Sequence, residues 1–215
     1  SRAAKQLIRE VSLLSSLSHP GIVRHLGWGQ TDAGAVFSVM EFVDGQDLTR
    51  WRQSGKVSLR EVVRCGLELC EAVAAAHQSG VIHADLTPSN VLRRRDGRFV
   101  LTDFGFSRVA GDSLQIAGGT PGFLSPEQLC DAFGIVSERT DVYGIGGILY
   151  FLLTGKPPVS GETVPDAIAE TLSSRPVIPV SATTEGVPVD FSDLLQRCLS
   201  KEPQDRPESV EVVLR

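Results

Sequence analysis

The run Val142–Leu153 has no charged residue in 12 positions and is relieved only by three glycines. A helix apolar on every side has no face for water, so other elements must enclose it. At that length it falls short of the ~20 residues needed to cross a bilayer. The chain must therefore build structure all around this segment, and the pattern predicts a central buried helix over 141–153. A chain of 215 residues is long enough to do so, since a domain of this size buries about 70% of its unfolded surface.

Other segments supply the surroundings. Leu7, Val11, Leu14 and Leu17 recur at helical spacing, and Ser18-His19-Pro20-Gly21 stops that first helix. Two strand-like runs follow, Ile22–Trp28 and Ala35–Phe42, separated by the turn-rich residues 30–34. Asp44-Gly45 breaks the pattern before a short helix around Leu48–Arg52. A long amphipathic helix is expected over Leu59–Gln78, with Leu59, Val62, Val63, Leu69, Cys70, Val73 and Ala76 on its apolar stripe and Gly80 as its C-terminal cap. Residues 81–107 read as small strands and loops, 108–140 mostly as loop, 174–190 as another loop, and 191–199 and 207–214 as helices.

A formal charge of −5 gives no electrostatic reason to expect nucleic acid or an anionic membrane as partner. Cys65, Cys70, Cys130 and Cys198 form no CxxC pair and no metal-ligand spacing with the four histidines, so they read as core thiols of a reducing compartment. No leader pattern opens the chain, which begins at Ser1 without methionine and is expected to be cut from a longer protein.

The chemistry-bearing segments are His83-Ala84-Asp85-Leu86-Thr87-Pro88-Ser89-Asn90 and Asp103-Phe104-Gly105. Alone, the first is also compatible with a polar loop closed by an Asx turn, and the second with a turn at a strand end. Their order, with the strand-like Arg98–Thr102 between them, points to phosphotransfer. The first resembles the HRDLxxxN catalytic loop of protein kinases and the second their DFG motif.

That resemblance implies an α+β, protein-kinase-like fold. It comprises a mainly α-helical large lobe over 44–215 and a partial small lobe of one helix and two strands over 1–43. It implies that Asp85 orients the attacking hydroxyl, that Asn90 and Asp103 hold Mg2+ on the phosphates of ATP, and that His83 packs and orients rather than acting as a base. Phe104 would pack beneath the first helix. Glu10 takes the place of the helix glutamate that pairs with an ATP-binding lysine. Met40-Glu41-Phe42-Val43 resembles the gatekeeper and hinge, with Glu41 and Val43 backbone groups bonding adenine and Leu92 below it. Gly118–Glu127 resembles the end of an activation segment, where Thr120 would lie beside Asp85. Asp141 matches an aspartate that braces the catalytic loop, and Arg206 an arginine that pairs with Glu127.

Small-molecule phosphotransferases also carry an HxDxxxxN loop, but typically lack DFG and the GTPGFLSPE platform on which a peptide lies. The run GTPGFLSPEQL is similar to that of bacterial serine/threonine kinases. The implied activity is therefore ATP-dependent phosphorylation of serine or threonine on a protein substrate by a cytoplasmic enzyme, with no membrane segment in this chain and any anchor outside it. The alternative is a catalytically weak, kinase-like interaction module.

Three departures from the family bear on activity. Only Ser1–Gln6 precede the Glu10 helix, so a glycine-rich loop and a strand lysine are missing, and Lys5, about one turn from Glu10, is no substitute. Uncovering ~400 Å² of sheet would cost about 10 kcal/mol, so the residues given are expected to bind ATP poorly. Ala84 replaces the arginine that receives an activation-loop phosphate, which implies activity independent of phosphorylation at Ser107, Ser113 or Thr120. Thr87 replaces a lysine near the transferring phosphate, a loss of about 10²–10³ in rate by analogy with other anion-stabilising donors.

Overall fold

The computed structural model describes residues 17–31, 36–104, 108–109 and 120–214. The first helix, including Lys5 and Glu10, lies outside them, as do Gly105, Ser107 and Ser113.

The central helix α4 spans Glu138–Thr154 and is buried along most of its length. It begins a turn earlier than its apolar run because Ser137 is extended and its N–H donates to Thr140 Oγ1 at 3.1 Å. It ends where Gly155 turns left-handed and donates to the Phe151 carbonyl at 2.7 Å. The glycines let neighbours come close. A Cβ at Gly144 would lie 2.6 Å from Leu86 Cβ, and one at Gly146 would lie 2.8 Å from Cys198 Cβ.

Preceding it in the chain, α1 (Leu48–Gln53) leads into α2 (Leu59–Gln78), which packs along α4. A reciprocal Ser58–Glu61 cap starts α2, and Gly80 at φ +72° follows its end. Its buried stripe includes Val62, Leu69, Cys70, Val73 and Ala76, but Val63 is exposed and Leu59 half-buried. Both stand at the edge of the stripe. Cys65, Cys70 and Cys198 are buried, and burial pushes the last two thiols up to about 12. Cys130 is half-exposed and so departs from the core reading.

Among the described residues, seven short strands complete the picture. An antiparallel ribbon pairs β1 (His25–Gln30) with β2 (Val36–Met40). A three-stranded sheet has the order β3 (Gly45–Asp47), β5 (Val91–Arg94), β6 (Phe99–Leu101), and β4 (Val81–Ile82) pairs with β7 (Arg108–Val109). β1 starts later than its hydrophobic run because Ile22 and Val23 are drawn to the large lobe. Val23 N–H donates to Leu101 O at 2.9 Å, and Leu101 N–H donates to Gly21 O at 2.8 Å. The ribbon leaves Leu26, Trp28, Phe37 and Val39 substantially exposed.

The remaining helices are α3 (Pro126–Leu129), α5 (Val164–Leu172), α6 (Val189–Cys198) and α7 (Val210–Val213). Sequence reading did not assign α5. Its signal was the Thr163–Asp166 capping box, with Pro165 tolerated in the first turn. The loop predicted over 108–140 also contains β7, α3 and the start of α4. No helix among the described residues is long and apolar enough to cross a membrane.

Candidate active site

β4 delivers the chain to His83, and a 3-10 turn at Pro88–Asn90 returns it into β5. Between them the backbone is held from below by the first turn of α4. Asp141 Oδ2 accepts the His83 N–H at 2.9 Å, and Oδ1 accepts the Ala84 N–H at 2.8 Å. These bonds hold Ala84 at φ +59°, a left-handed conformation that is costly for a residue with a Cβ. The brace expected of Asp141 is therefore seen in its geometry.

Two histidines flank this brace. His83 is fully buried, and its Nε2 faces the Thr102 carbonyl at 3.0 Å. A carbonyl only accepts, so Nε2 carries the hydrogen and Nδ1 accepts the Asp85 N–H at 3.2 Å. Burial lowers the His83 pKa, against the charges of Asp141, Asp85 and Asp103, which favours this neutral form. Its orienting role fits this environment. The second histidine, His77 at the end of α2, donates from Nε2 to Asp141 Oδ2 at 2.7 Å. Sequence reading did not single it out.

Asn90 joins the predicted residues to one another. Its amide nitrogen donates to the Asp85 carbonyl at 2.9 Å and to Asp85 Oδ2 at 2.8 Å. Both amide hydrogens are then used, and Oδ1 stays available as an oxygen ligand. The Thr102 N–H donates to the Asn90 carbonyl at 2.9 Å, which ties the residue before Asp103 to the same turn. Asp103 is exposed at φ +59°. Burial raises the pKa of half-buried Asp85, and the Asp103 charge adds to the rise against the Asn90 hydrogen bond. Asn90 Oδ1 and the exposed Asp103 carboxylate are oxygen donors of the kind that Mg2+ takes.

Phe104 stacks on His83 at 4.5 Å between ring centroids and packs against Leu17, Ala76 and Val81. Leu17 is the described end of the predicted first helix. Beside Asp85, a small recess is lined by Thr87, Thr120, Phe123 and Gln128. Thr120 and Asp85 therefore share one recess. Thr87 is buried, with Oγ1 2.9 Å from Ser89 Oγ.

Met40 ends β2, and Glu41 begins the connection to the large lobe. The Glu41 N–H donates to the Arg24 carbonyl at 2.9 Å, and its carboxylate takes Arg94 Nη2 at 3.0 Å. Among the described residues the Glu41 carbonyl and the Val43 N–H bond to no other backbone or side chain. Leu92, half-buried in β5, lies two residues from Asn90 and two from Arg94, between hinge and catalytic loop. Glu10 falls outside the described residues.

At the far end of the platform, Glu127 and Arg206 are both fully buried and form a two-pronged pair, at 2.7 and 2.8 Å. The expected closure of that pair is present. Next to Glu127, Gln128 Nε2 donates to the Ala84 carbonyl at 2.6 Å, a contact that sequence reading missed. Its only signal was the Ser125–Gln128 capping pattern.

Comparison with known proteins agrees with this geometry. The family model described as protein kinase domain matches residues 1–214. The chain is 34% identical over 224 residues to serine/threonine-protein kinase pkn3 of Myxococcus xanthus, covering 98% of this chain and 41% of that protein. It is 36% identical over 212 residues to PkaA of Streptomyces coelicolor, with 94% and 37% covered. To PknB of Mycobacterium tuberculosis it is 35% identical over 209 residues, with 92% and 33% covered. The chain thus spans between a third and about two-fifths of these relatives' lengths. A loop braced by Asp141, the Asp85–Asn90 lock and a family match along nearly the whole chain lead to one conclusion: the chain belongs to the protein kinase family.

Proposed function

We propose that this chain is the catalytic part of an ATP-dependent serine/threonine protein kinase. The observation that carries this reading is the use of both Asn90 amide hydrogens on Asp85, which aims one carboxylate and frees one ligand oxygen. Asp85 accepts the proton of a serine or threonine hydroxyl as its oxygen bonds to the γ-phosphorus. The bond from that phosphorus to the β–γ bridging oxygen breaks, and ADP leaves. Asn90 and Asp103 would hold Mg2+, which when bound neutralises phosphate charge. The Glu41 carbonyl and Val43 N–H face adenine, with Met40 behind it and Leu92 beneath. Glu10 is assigned to the lysine-pairing position. Thr120 supports the acceptor beside Asp85, in the recess that both line.

Residues 1–43 contribute the rear of the small lobe and residues 44–215 the large lobe. A protein acceptor is favoured because Glu127 and Arg206 rigidly anchor the platform leading from Thr120. The site acts in the cytoplasm, where ATP is plentiful and the cysteines stay reduced.

The test is transfer from radiolabelled ATP to the intact protein itself and to dephosphorylated casein, with wild type beside Asp85→Ala. Label on phosphoserine and phosphothreonine that disappears in the variant is expected. Equal incorporation by both proteins removes the proposal.

A further inference from the structure

Residue 84 carries no side-chain polar group, yet both peptide groups flanking it are held. Its N–H is taken by Asp141 Oδ1 at 2.8 Å, and its carbonyl accepts from Gln128 Nε2 at 2.6 Å. The two partners come from different elements, α4 and α3. The carbonyl of residue 84 belongs to the same peptide plane as the Asp85 N–H. A donor on that carbonyl therefore fixes the plane from which the Asp85 side chain departs.

The orientation of the Gln128 amide is set by its surroundings. Its Oε1 faces the Ser125 N–H at 3.0 Å, and a backbone N–H can only donate. The nitrogen must then be the end that points at Ala84. Ser125 Oγ, also 3.0 Å from Oε1, reinforces that choice. Gln128 is well anchored besides. Pro126 rigidifies the first turn of α3, and the preceding Glu127 is locked to Arg206 and accepts from Thr140 Oγ1 at 2.8 Å. The Ala84 methyl packs with Ile82 and Val136, and the part-buried carbonyl would feel the loss of its donor.

We propose that Gln128 is a positioning residue for phosphotransfer: its neutral carboxamide ties the end of the substrate platform to the Ala84 carbonyl and so aims the Asp85 carboxylate. The inference rests on the kinase reading and adds a part to it. The link needs no charge, so the aim of Asp85 responds neither to salt nor to a phosphate on the platform. A peptide settling on the platform and the carboxylate that receives its proton are joined by one side chain.

The test measures transfer from radiolabelled ATP to dephosphorylated casein by the intact protein, with Asp85→Ala as background. Gln128→Met keeps length and loses the donor. Gln128→Glu keeps the oxygen for Ser125 but sets a carboxylate against the Ala84 carbonyl. Gln128→Lys restores a donor. The Met and Glu variants are expected to lose about tenfold in kcat with KM for ATP within twofold, and Lys to recover to within about threefold of wild type; one lost hydrogen bond is of this order. If Gln128→Met does not fold, Lys against Glu makes the same comparison. Wild-type kcat in Gln128→Met, or a Lys variant as impaired as the Glu variant, overturns the proposal. Absence of Asp85-dependent transfer in wild type strikes the kinase reading instead, so the two failures are distinguishable.

Discussion

Substituting Arg206 by methionine tests how the platform is anchored. All five N–H donors of the guanidinium are engaged: two on the Glu127 carboxylate, and the others on the carbonyls of Ser200, Arg139 and Lys201 at 2.8, 3.0 and 3.2 Å. The guanidinium carbon also lies 4.9 Å from the centre of the Tyr143 ring. Both charged side chains are fully buried. Arg206→Met fills most of the volume but strands Glu127 without a counter-charge, a change that costs about 3–5 kcal/mol. Against a total stability of ~5–15 kcal/mol that is a large share. At about 2–4 °C per kcal/mol for a domain of this size, the melting midpoint should fall by about 6–20 °C. Arg206→Lys keeps the charge but gives up the fork, and should fall between the two. Glu127→Met added to Arg206→Met removes the stranded charge, so the double variant should be more stable than the two losses combined by at least about 1 kcal/mol. Urea unfolding of wild type, Arg206→Met, Arg206→Lys, Glu127→Met and the double variant provides these values. A single-variant loss under about 1 kcal/mol, or strict additivity, would refute the view of a dry, fully engaged pair.

Three further outcomes are expected. Phosphatase treatment of the intact protein should leave casein phosphorylation within about twofold, because residue 84 offers no cation for a phosphate to engage; near-complete loss of activity would contradict this. Burial alone would lower the His77 pKa, but its hydrogen bond to Asp141 and the charges of Asp141, Glu138 and Glu211 outweigh burial and raise it above 6.5. A raised histidine pKa stabilises the fold fully below the unfolded value, and the contribution fades as pH climbs through the folded one. The stability gap between wild type and His77→Gln in urea should therefore narrow from pH 6 to pH 9, and a gap that stays constant would count against the assignment. Gly144→Ala places a methyl 2.6 Å from Leu86 Cβ, so it should destabilise by about 1–3 kcal/mol and depress kcat through the adjacent Asp85; a variant with unchanged melting and kcat would show that the loop yields freely.

The elements legible in sequence were those whose evidence is local. α2 carries its own capping box, stripe and terminal glycine, and α4 its unbroken apolar run. α5 carried a capping box too, but Pro165 and Asp166 in its first turn read as loop composition. The start of β1 was displaced because Ile22 and Val23 answer to Leu101, a tertiary partner that no window of neighbouring residues contains. The same division holds at the site. Asp85, Asn90 and Asp103 could be nominated because two short motifs hold them in order. Gln128 and His77 were not, since each matters through a partner 44 or 64 residues away and is chemically unremarkable in its own segment.

The carboxylate of Asp141 closes on amides 57 and 58 residues earlier in the chain, and Arg206 closes on a glutamate 79 residues before it. A ribosome delivers residues in order, so the reacting loop is synthesised long before either brace exists to shape it. Until Asp141 has been made and docked, Ala84 lacks the acceptor that holds its unfavourable backbone angle. A chain that stops before residue 141 lacks the carboxylate that braces residues 83 and 84, and one that stops before residue 206 leaves Glu127 without its counter-charge.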